Sequence, residues 1–161
     1  EKGYPKDEIM RSIYAKSRDN ARTPMQWNSQ KNAGFTEGTP WIKVNPNYLE
    51  INAQSQIEDA DSIFACYKNL IRLRKEYPVF ADGEFQMLWE QDEHIFAYIR
   101  TTKEEQLAVI CNFFEQTISF PQTQKEDTSW KLLICNYKEI DQPMILRPYE
   151  ARMYWKNKKD V

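Results

Sequence analysis

The side chains best suited to chemistry lie close together in one stretch, Ser17–Trp27, whose sequence is SRDNARTPMQW. The stretch contains two arginines, Arg18 and Arg22, together with an aspartate, two amides and a tryptophan. A guanidinium group is a planar fork of donors that meets carboxylates or vicinal hydroxyls at set angles. Pro24 fixes the backbone φ and prevents regular strand pairing, so the stretch is predicted to be an irregular loop. We interpret it as a site loop that holds a polar ligand.

Two later segments extend the pattern of this stretch: NAGFTEGTPWIKVNPNYLEIN and DSIFACYKNLIRLRKEYPVFADGEF. Together the three segments resemble the part of bacterial α-glucosidases of the α-amylase family that follows the last catalytic carboxylate. Oligo-1,6-glucosidases (dextran glucosidases) and trehalose-6-phosphate hydrolases are the members that the segments resemble most. The resemblance is specific over roughly the first 115 residues and rests on pattern alone beyond them.

The resemblance implies that this chain, which opens on Glu1 without an initiator methionine, is the C-terminal part of a longer enzyme. The implied enzyme is a retaining, exo-acting α-glucosidase. Its implied substrates are α-1,6-linked gluco-oligosaccharides, with trehalose 6-phosphate as the alternative.

The resemblance also implies roles for the two arginines. Arg22 matches the family arginine that pairs with an upstream aspartate and hydrogen-bonds to hydroxyls of the non-reducing terminal glucose. Arg18 matches it less well. The alternative is that one of these arginines ties the loop together through Asp19 or a backbone carbonyl. This chain departs from the family at Asn28, because many relatives have aspartate at this position. The resemblance therefore does not determine the local charge of the loop.

No catalytic residue is assigned to this chain. Retaining glycoside hydrolysis uses two carboxyl groups about 5–5.5 Å apart, and in the family these lie on earlier barrel strands, in motifs of the GxRxDA and NHD types. Neither motif occurs in this sequence. We therefore expect the chain to be inactive alone and to need the missing catalytic barrel as its partner. No cofactor is expected.

The loop region also contains aromatic and amide side chains. Trp27 and Trp41 could stack on a pyranose ring, although tryptophans in long ordered loops more often pin the loop to the core, and we expect the latter. Asn20 and Gln26 are predicted to brace the loop. The remaining tryptophans fall at strand positions and are predicted to be core or partly exposed sheet residues: Trp89, Trp130 and Trp155.

The composition is that of a folded chain that does not bind nucleic acid. The 161 residues are 41% hydrophobic and 14% aromatic, which is enough for a domain with its own core. The net charge is −2 and the basic residues are dispersed among acids, which excludes the electrostatic footprint of a nucleic-acid partner. No signal peptide is recognised and no apolar run approaches the roughly 20 residues of a membrane helix, so no membrane partner is expected.

The cysteines are predicted to be free thiols. Cys66, Cys111 and Cys135 have no CxxC spacing, and with His94 as the single histidine they leave few ligands for zinc, so no metal is expected. Cys66 falls on an apolar helix face and the other two fall in strand-like runs, which favours buried structural roles. Free thiols in turn favour a cytoplasmic location.

Hydrophobic periodicity predicts the elements that hold these residues. A short amphipathic helix is predicted over residues 7–17, and a long ordered loop over residues 18–58. A second helix is predicted over residues 61–77, capped by Asp59 or Asp61 and stopped by Pro78. From residue 85 apolar side chains recur at every second residue, which is typical of strands. Short strands are therefore predicted near residues 85–89, 94–100, 107–113, 117–120, 131–135, 143–146 and 151–155.

Short strands at this spacing favour an antiparallel sandwich. The predicted fold class is an α+β fragment dominated by β, in which an antiparallel β-sandwich C-terminal domain follows the site loop and the helices. The resemblance assigns residues 1–80 to the end of a (β/α)8 barrel and residues 81–161 to a C-terminal β-domain. The alternative is a stand-alone carbohydrate-binding β-domain. We expect the fragment to self-associate through the faces that would otherwise pack on a barrel.

Overall fold

A computed structural model describes residues 3–121 and 129–160 of the chain. The chain divides into two compact units, residues 1–70 and residues 71–161. The division falls inside a helix, so the second half of that helix belongs to the unit that contains the sheet.

The first unit is built from short helices and turns. Its α-helices are α1, α2 and the first half of α3, which span Lys6–Lys16, Ala53–Glu58 and Ile63–Glu76. Between α1 and α2 the chain forms 3₁₀ turns at Arg18–Ala21, Lys31–Gly34 and Pro46–Leu49. The predicted long loop is therefore ordered, and the two predicted helices form within one or two residues of their expected positions.

The start of α3 differs from its predicted start. The backbone N–H of Ala65 donates to the Ser62 hydroxyl at 3.1 Å, so Ser62 is the N-cap, as its short hydroxyl side chain allows. Asp59, one of the predicted caps, instead closes a turn by accepting from the backbone N–H of Asp61 at 2.8 Å. The predicted burial of Cys66 is also wrong for this chain, because Cys66 on α3 is exposed.

The second unit is an antiparallel β-domain preceded by the short helix α4, Val79–Asp82. Its main sheet has the strand order β1-β2-β3-β7-β5, and β4 pairs with β6 in a separate two-stranded sheet. Every described pairing is antiparallel, which confirms the predicted strand direction. The strands span Glu84–Leu88, Ile95–Thr101, Glu105–Asn112, Ile118–Ser119, Lys131–Cys135, Ile145–Leu146 and Ala151–Asn157.

Apolar side chains cover both faces of the main sheet. On one face Ala97 and Ile110 pack with Leu146 from the small β4–β6 sheet. On the other face Leu107 and Val109 pack with Val79 from α4. Because neighbouring residues of a strand point to opposite faces, the central strands β2 and β3 contribute to both clusters. The layers of the predicted sandwich are thus unequal, five strands against two.

The junction between α4 and β1 requires a glycine for reasons of space. A Cβ atom on Gly83 would lie 2.6 Å from the backbone oxygen of Val79 and 2.9 Å from Cβ of Arg100. Arg100 also donates to the backbone oxygens of Ala81 and Gly83 at 3.1 and 2.9 Å. These contacts fix the chain where it enters the sheet.

Candidate functional site

The two arginines of the predicted site loop are both exposed. Ser17 accepts from the backbone N–H of Asp19 at 3.3 Å, and the backbone N–H of Arg22 donates to the backbone oxygen of Asp19 at 3.1 Å. Among the groups that the structure describes, neither the Arg18 nor the Arg22 guanidinium has a hydrogen-bond or ion-pair partner. The turn therefore presents two donor forks that this part of the chain does not itself engage.

Gln26 braces the loop, as predicted. Its side-chain amide donates to the Asn47 side-chain oxygen at 3.0 Å and to the backbone oxygen of Ile51. Its backbone oxygen accepts from Ala53 at 2.8 Å, at the start of α2. Gln26 thus ties the arginine turn to the far end of the loop. The side chain of Asn20, the other predicted bracing amide, lies outside those that the structure describes.

Five residues after Trp27, three consecutive residues adopt a left-handed backbone conformation. The φ angles of Asn32, Ala33 and Gly34 are 55°, 59° and 66°, a region that non-glycine residues seldom adopt. The backbone oxygen of Ala33 accepts from the N–H groups of Trp27 and Asn28 at 2.9 and 3.2 Å. The reversal therefore brings residue 33 back against the residues that follow the arginine turn.

Side-chain amides hold this reversal in place. The Asn32 amide donates to the backbone oxygens of Thr36 and Gly38 at 2.9 and 2.8 Å. The Asn28 side-chain oxygen accepts from the backbone N–H of Gln30 at 2.9 Å. An aspartate carboxylate at this position would accept the same bond.

The sequence analysis missed a buried amide that organises the end of the loop. Asn52 is only 7% exposed, accepts from the N–H of Ser55 at 3.0 Å and donates to the backbone oxygen of Tyr48 at 3.0 Å. It is therefore the N-cap of α2 as well as a link to the preceding 3₁₀ turn. The pattern Asn-x-x-Ser before an apolar helical residue was the available signal.

The loop tryptophans do not pin the loop within this chain. Trp27 is 52% exposed and Trp41 is 81% exposed. The expectation that they insert into the core is therefore not met by the residues described. The other three tryptophans are partly buried at or next to strands, as predicted: Trp89, Trp130 and Trp155.

A second polar cluster lies in the β-domain, where the buried carboxylate of Glu150 meets two arginines. It accepts from Nε of Arg152 at 2.8 Å and from Nε of Arg147 at 3.1 Å. Arg152, which is fully buried, also donates to the backbone oxygen of Pro143 at 2.7 Å. Although burial raises the pKa of Glu150, the hydrogen bonds from both arginines lower it to about 2. The cluster is satisfied internally, so we interpret it as structural.

The geometry limits what this chain can do chemically. In the described residues no three His, Cys, Asp or Glu side chains are grouped as a metal site would require. No helix in that part of the chain is both long and apolar enough to cross a membrane. All three cysteines are free, as predicted. The exposed donor forks of Arg18 and Arg22 lie on a loop that Gln26 braces.

Known proteins of one family are similar to this chain in sequence. The family model described as "Alpha amylase, catalytic domain" matches residues 1–83. Oligo-1,6-glucosidase of Heyndrickxia coagulans is 46% identical over 153 residues, which cover 95% of this chain and 27% of that protein. Trehalose-6-phosphate hydrolase of Bacillus subtilis (strain 168) is 43% identical over 160 residues, 96% of this chain and 28% of that protein.

Solved structures match over the same extent. The crystal structure of Bacillus licheniformis trehalose-6-phosphate hydrolase superposes with a TM-score of 0.84 at 42% identity, and the match covers 97% of this chain and 29% of that one. The chain thus spans less than a third of the length of the proteins that it resembles.

Proposed function

Because this chain belongs to the alpha-amylase family, we propose that it is the C-terminal part of a retaining, exo-acting α-glucosidase that hydrolyses α-1,6-linked gluco-oligosaccharides. The observation that carries the proposal is the site loop itself, which lies inside the region matched to the catalytic domain and presents two exposed guanidinium groups. The 46% identity to a protein named oligo-1,6-glucosidase supports the choice of substrate.

We propose that Arg22 positions the substrate. In the complete enzyme its guanidinium would pair with an upstream carboxylate and donate to hydroxyls of the terminal glucose, with Arg18 as a secondary contact. Fixed donors lower the activation barrier by holding the reacting sugar in one orientation. The bracing by Gln26 supports this role, because a donor fork can select an orientation only if its own backbone is held in place.

The same proposal assigns a role to each part of the chain. Residues 1–80 would form the end of the catalytic barrel and residues 81–161 a stabilising C-terminal β-domain. The catalytic carboxylates would come from the part of the enzyme outside this chain. Three free thiols support a reducing, cytoplasmic location.

Trehalose-6-phosphate hydrolase is the second candidate. It is favoured by the 42% identity and TM-score of 0.84 to a solved enzyme of that name. Both candidates share one architecture and differ in the substrate: one has an α-1,6 bond, and the other has an α,α-1,1 bond and carries a phosphate.

The test uses the full-length protein. We expect it to hydrolyse isomaltose and dextran oligosaccharides faster than trehalose 6-phosphate, and the reverse order would replace the first candidate with the second. Arg22→Ala should lower kcat/KM at least about tenfold, which equals about 1.4 kcal/mol of transition-state stabilisation. Arg11→Ala, which removes an exposed arginine from α1, is the matched control and should change little. An unchanged kcat/KM in Arg22→Ala would show that the loop is only scaffold.

A further inference from the structure

The side-chain amide of Gln26 joins two segments of the site loop that lie far apart in sequence. Its nitrogen donates to the Asn47 side-chain oxygen at 3.0 Å and to the backbone oxygen of Ile51, which uses both N–H groups of the amide. We call Gln26 and Asn47 the amide pair. The pair fixes the position of residue 26 relative to a segment that lies more than twenty residues later in the chain.

The segment that accepts these bonds is itself held in one conformation. Asn47 lies in the 3₁₀ turn Pro46–Leu49, and its backbone oxygen accepts from the N–H of Ile51 at 2.8 Å. The buried Asn52 closes the segment by donating to the backbone oxygen of Tyr48 at 3.0 Å. A side chain that bonds to this segment is therefore bonded to a fixed support and not to a second mobile loop.

The residues between Arg22 and the amide pair are stiff. Pro24 is buried, and its ring fixes its own φ. A proline also restricts the residue before it, here Thr23, to extended backbone conformations. On the other side of Arg22, its backbone N–H donates to the backbone oxygen of Asp19 at 3.1 Å. The backbone of Arg22 is thus held from both sides, by a turn before it and by the amide pair after it.

We propose that Gln26 and Asn47 are positioning residues of the reaction, whose amide pair orients the Arg22 guanidinium towards the substrate. The inference rests on the proposed function, which gives Arg22 the contact with the terminal glucose. A donor fork must meet the sugar hydroxyls at a set distance and angle, and a misplacement of about 1 Å can cost about 100-fold in rate. Both amides act through Arg22, so their effect on the reaction exists only while Arg22 is present.

A double-mutant cycle in the full-length protein tests this dependence on Arg22. Gln26→Met keeps the length of the side chain but removes both hydrogen bonds. It should lower kcat/KM at least about fivefold on the preferred substrate, isomaltose or trehalose 6-phosphate. In the Arg22→Ala background the same change should lower kcat/KM less than about twofold, because the guanidinium that it orients is absent. Equal factors in the two backgrounds would overturn the proposal and show that the amide pair only supports the fold.

Variants of Asn47 test the same pair from its other member, and since Asn47 is exposed they also serve if Gln26→Met folds poorly. Asn47→Leu removes the acceptor and should lower kcat/KM at least about threefold, whereas Asn47→Asp keeps an acceptor oxygen and should retain most of the activity. Similar losses in both would contradict the proposal. Ser62→Ala is the control for stability. It removes the 3.1 Å cap bond of α3 and should lower the Tm without changing kcat/KM.

Amide hydrogen exchange of the full-length protein gives a measurement that does not depend on activity. In Gln26→Met the peptide that covers residues 17–28 should exchange at least about fivefold faster than in the wild type, and in Ser62→Ala at the wild-type rate. Unchanged exchange in Gln26→Met would overturn the proposal, because the amide pair would then not hold the turn. An unchanged kcat/KM in Arg22→Ala would overturn this proposal together with the proposed role of Arg22. A loss in Arg22→Ala without one in Gln26→Met would overturn this proposal alone.

Discussion

Three consecutive residues concentrate the backbone strain of the site loop. Asn32 and Ala33 adopt positive φ angles, which cost L-residues roughly 1–2 kcal/mol each, and Gly34 adopts one at little cost. Strained residues of this kind persist only when their surroundings hold them, and here the amide of Asn32 and the backbone oxygen of Ala33 supply the restraining bonds. The strain therefore serves to bring the loop back under the residues that follow Arg22.

Gly34→Ala should therefore destabilise the full-length protein by about 1–3 kcal/mol. A Cβ atom at this position would combine an unfavourable φ of 66° with contacts of 2.6 Å to the Asn28 side chain. Urea denaturation measures the effect. Gly38→Ala is the control, because its Cβ would meet nothing closer than the Thr36 hydroxyl at 3.7 Å. Equal midpoints for the two variants would show that the reversal is not strained.

Individual residues were predicted from the sequence with mixed success, for identifiable reasons. Gln26 was correctly assigned as a brace because amides in irregular loops commonly bond to the backbone. Ser62 was overlooked as the cap of α3 because two aspartates lie just before it and either could have capped. Asn32 was not assigned a left-handed backbone, since no sequence pattern showed that its amide would reach the carbonyls of Thr36 and Gly38.

At the scale of elements, a buried ion cluster holds β7 to the loop before it. Glu150 precedes β7, Arg147 follows β6 and Arg152 lies within β7. Arg152 reaches the backbone oxygens of Pro143 and Gln142 at 2.7 and 3.2 Å. The cluster thus joins the irregular segment before β6 to the main sheet. Strand periodicity predicted the strands well but not this link, because charged residues on a strand normally indicate its solvent face.

Glu150→Gln should destabilise the protein by about 3–5 kcal/mol, because it leaves the fully buried Arg152 guanidinium without its counter-charge. Asp141→Asn is the matched control: Asp141 contacts the same Arg147 at 2.9 Å, but its side chain is 64% exposed, so it should cost less than about 1 kcal/mol. Chemical denaturation of both variants at neutral pH gives the comparison. Similar losses in both would mean that the buried carboxylate has no special role.

The same carboxylate predicts a pH dependence. Its pKa is about 2 in the folded protein and 4.5 as its ordinary value, so the unfolded state takes up the proton first as the pH falls. The stability that it contributes is complete above about pH 4.5 and is lost as the pH falls towards 2, on the order of 3 kcal/mol in total. Urea midpoints of the wild type should decline over this range more steeply than those of Glu150→Gln. Parallel declines would contradict the assignment.

At the scale of the whole molecule, the described residues of the first unit form no hydrophobic core that matches their exposed apolar surface. No residue of α1 is buried among those described. On α3 the side chains of Ile63, Tyr67 and Ile71 are 73%, 65% and 53% exposed and lie at four-residue steps, so they form one stripe. The strand pattern predicted the β-domain because each of its strands carries its own signal. Such a stripe is also visible in sequence, but sequence alone does not show which surface covers it.

We therefore expect the 161-residue chain to self-associate and to hydrolyse no p-nitrophenyl α-glucoside, while the full-length protein stays active. Exposed apolar stripes drive association, and the chain is proposed to lack the catalytic carboxylates. Sedimentation over a range of concentrations should show association that Ile63→Lys combined with Tyr67→Lys weakens. Lys68→Gln, at an exposed lysine off the stripe, is the control. Turnover by the rigorously purified chain would show that it contains its own catalytic groups. A chain that stays monomeric would show that the stripe does not drive association.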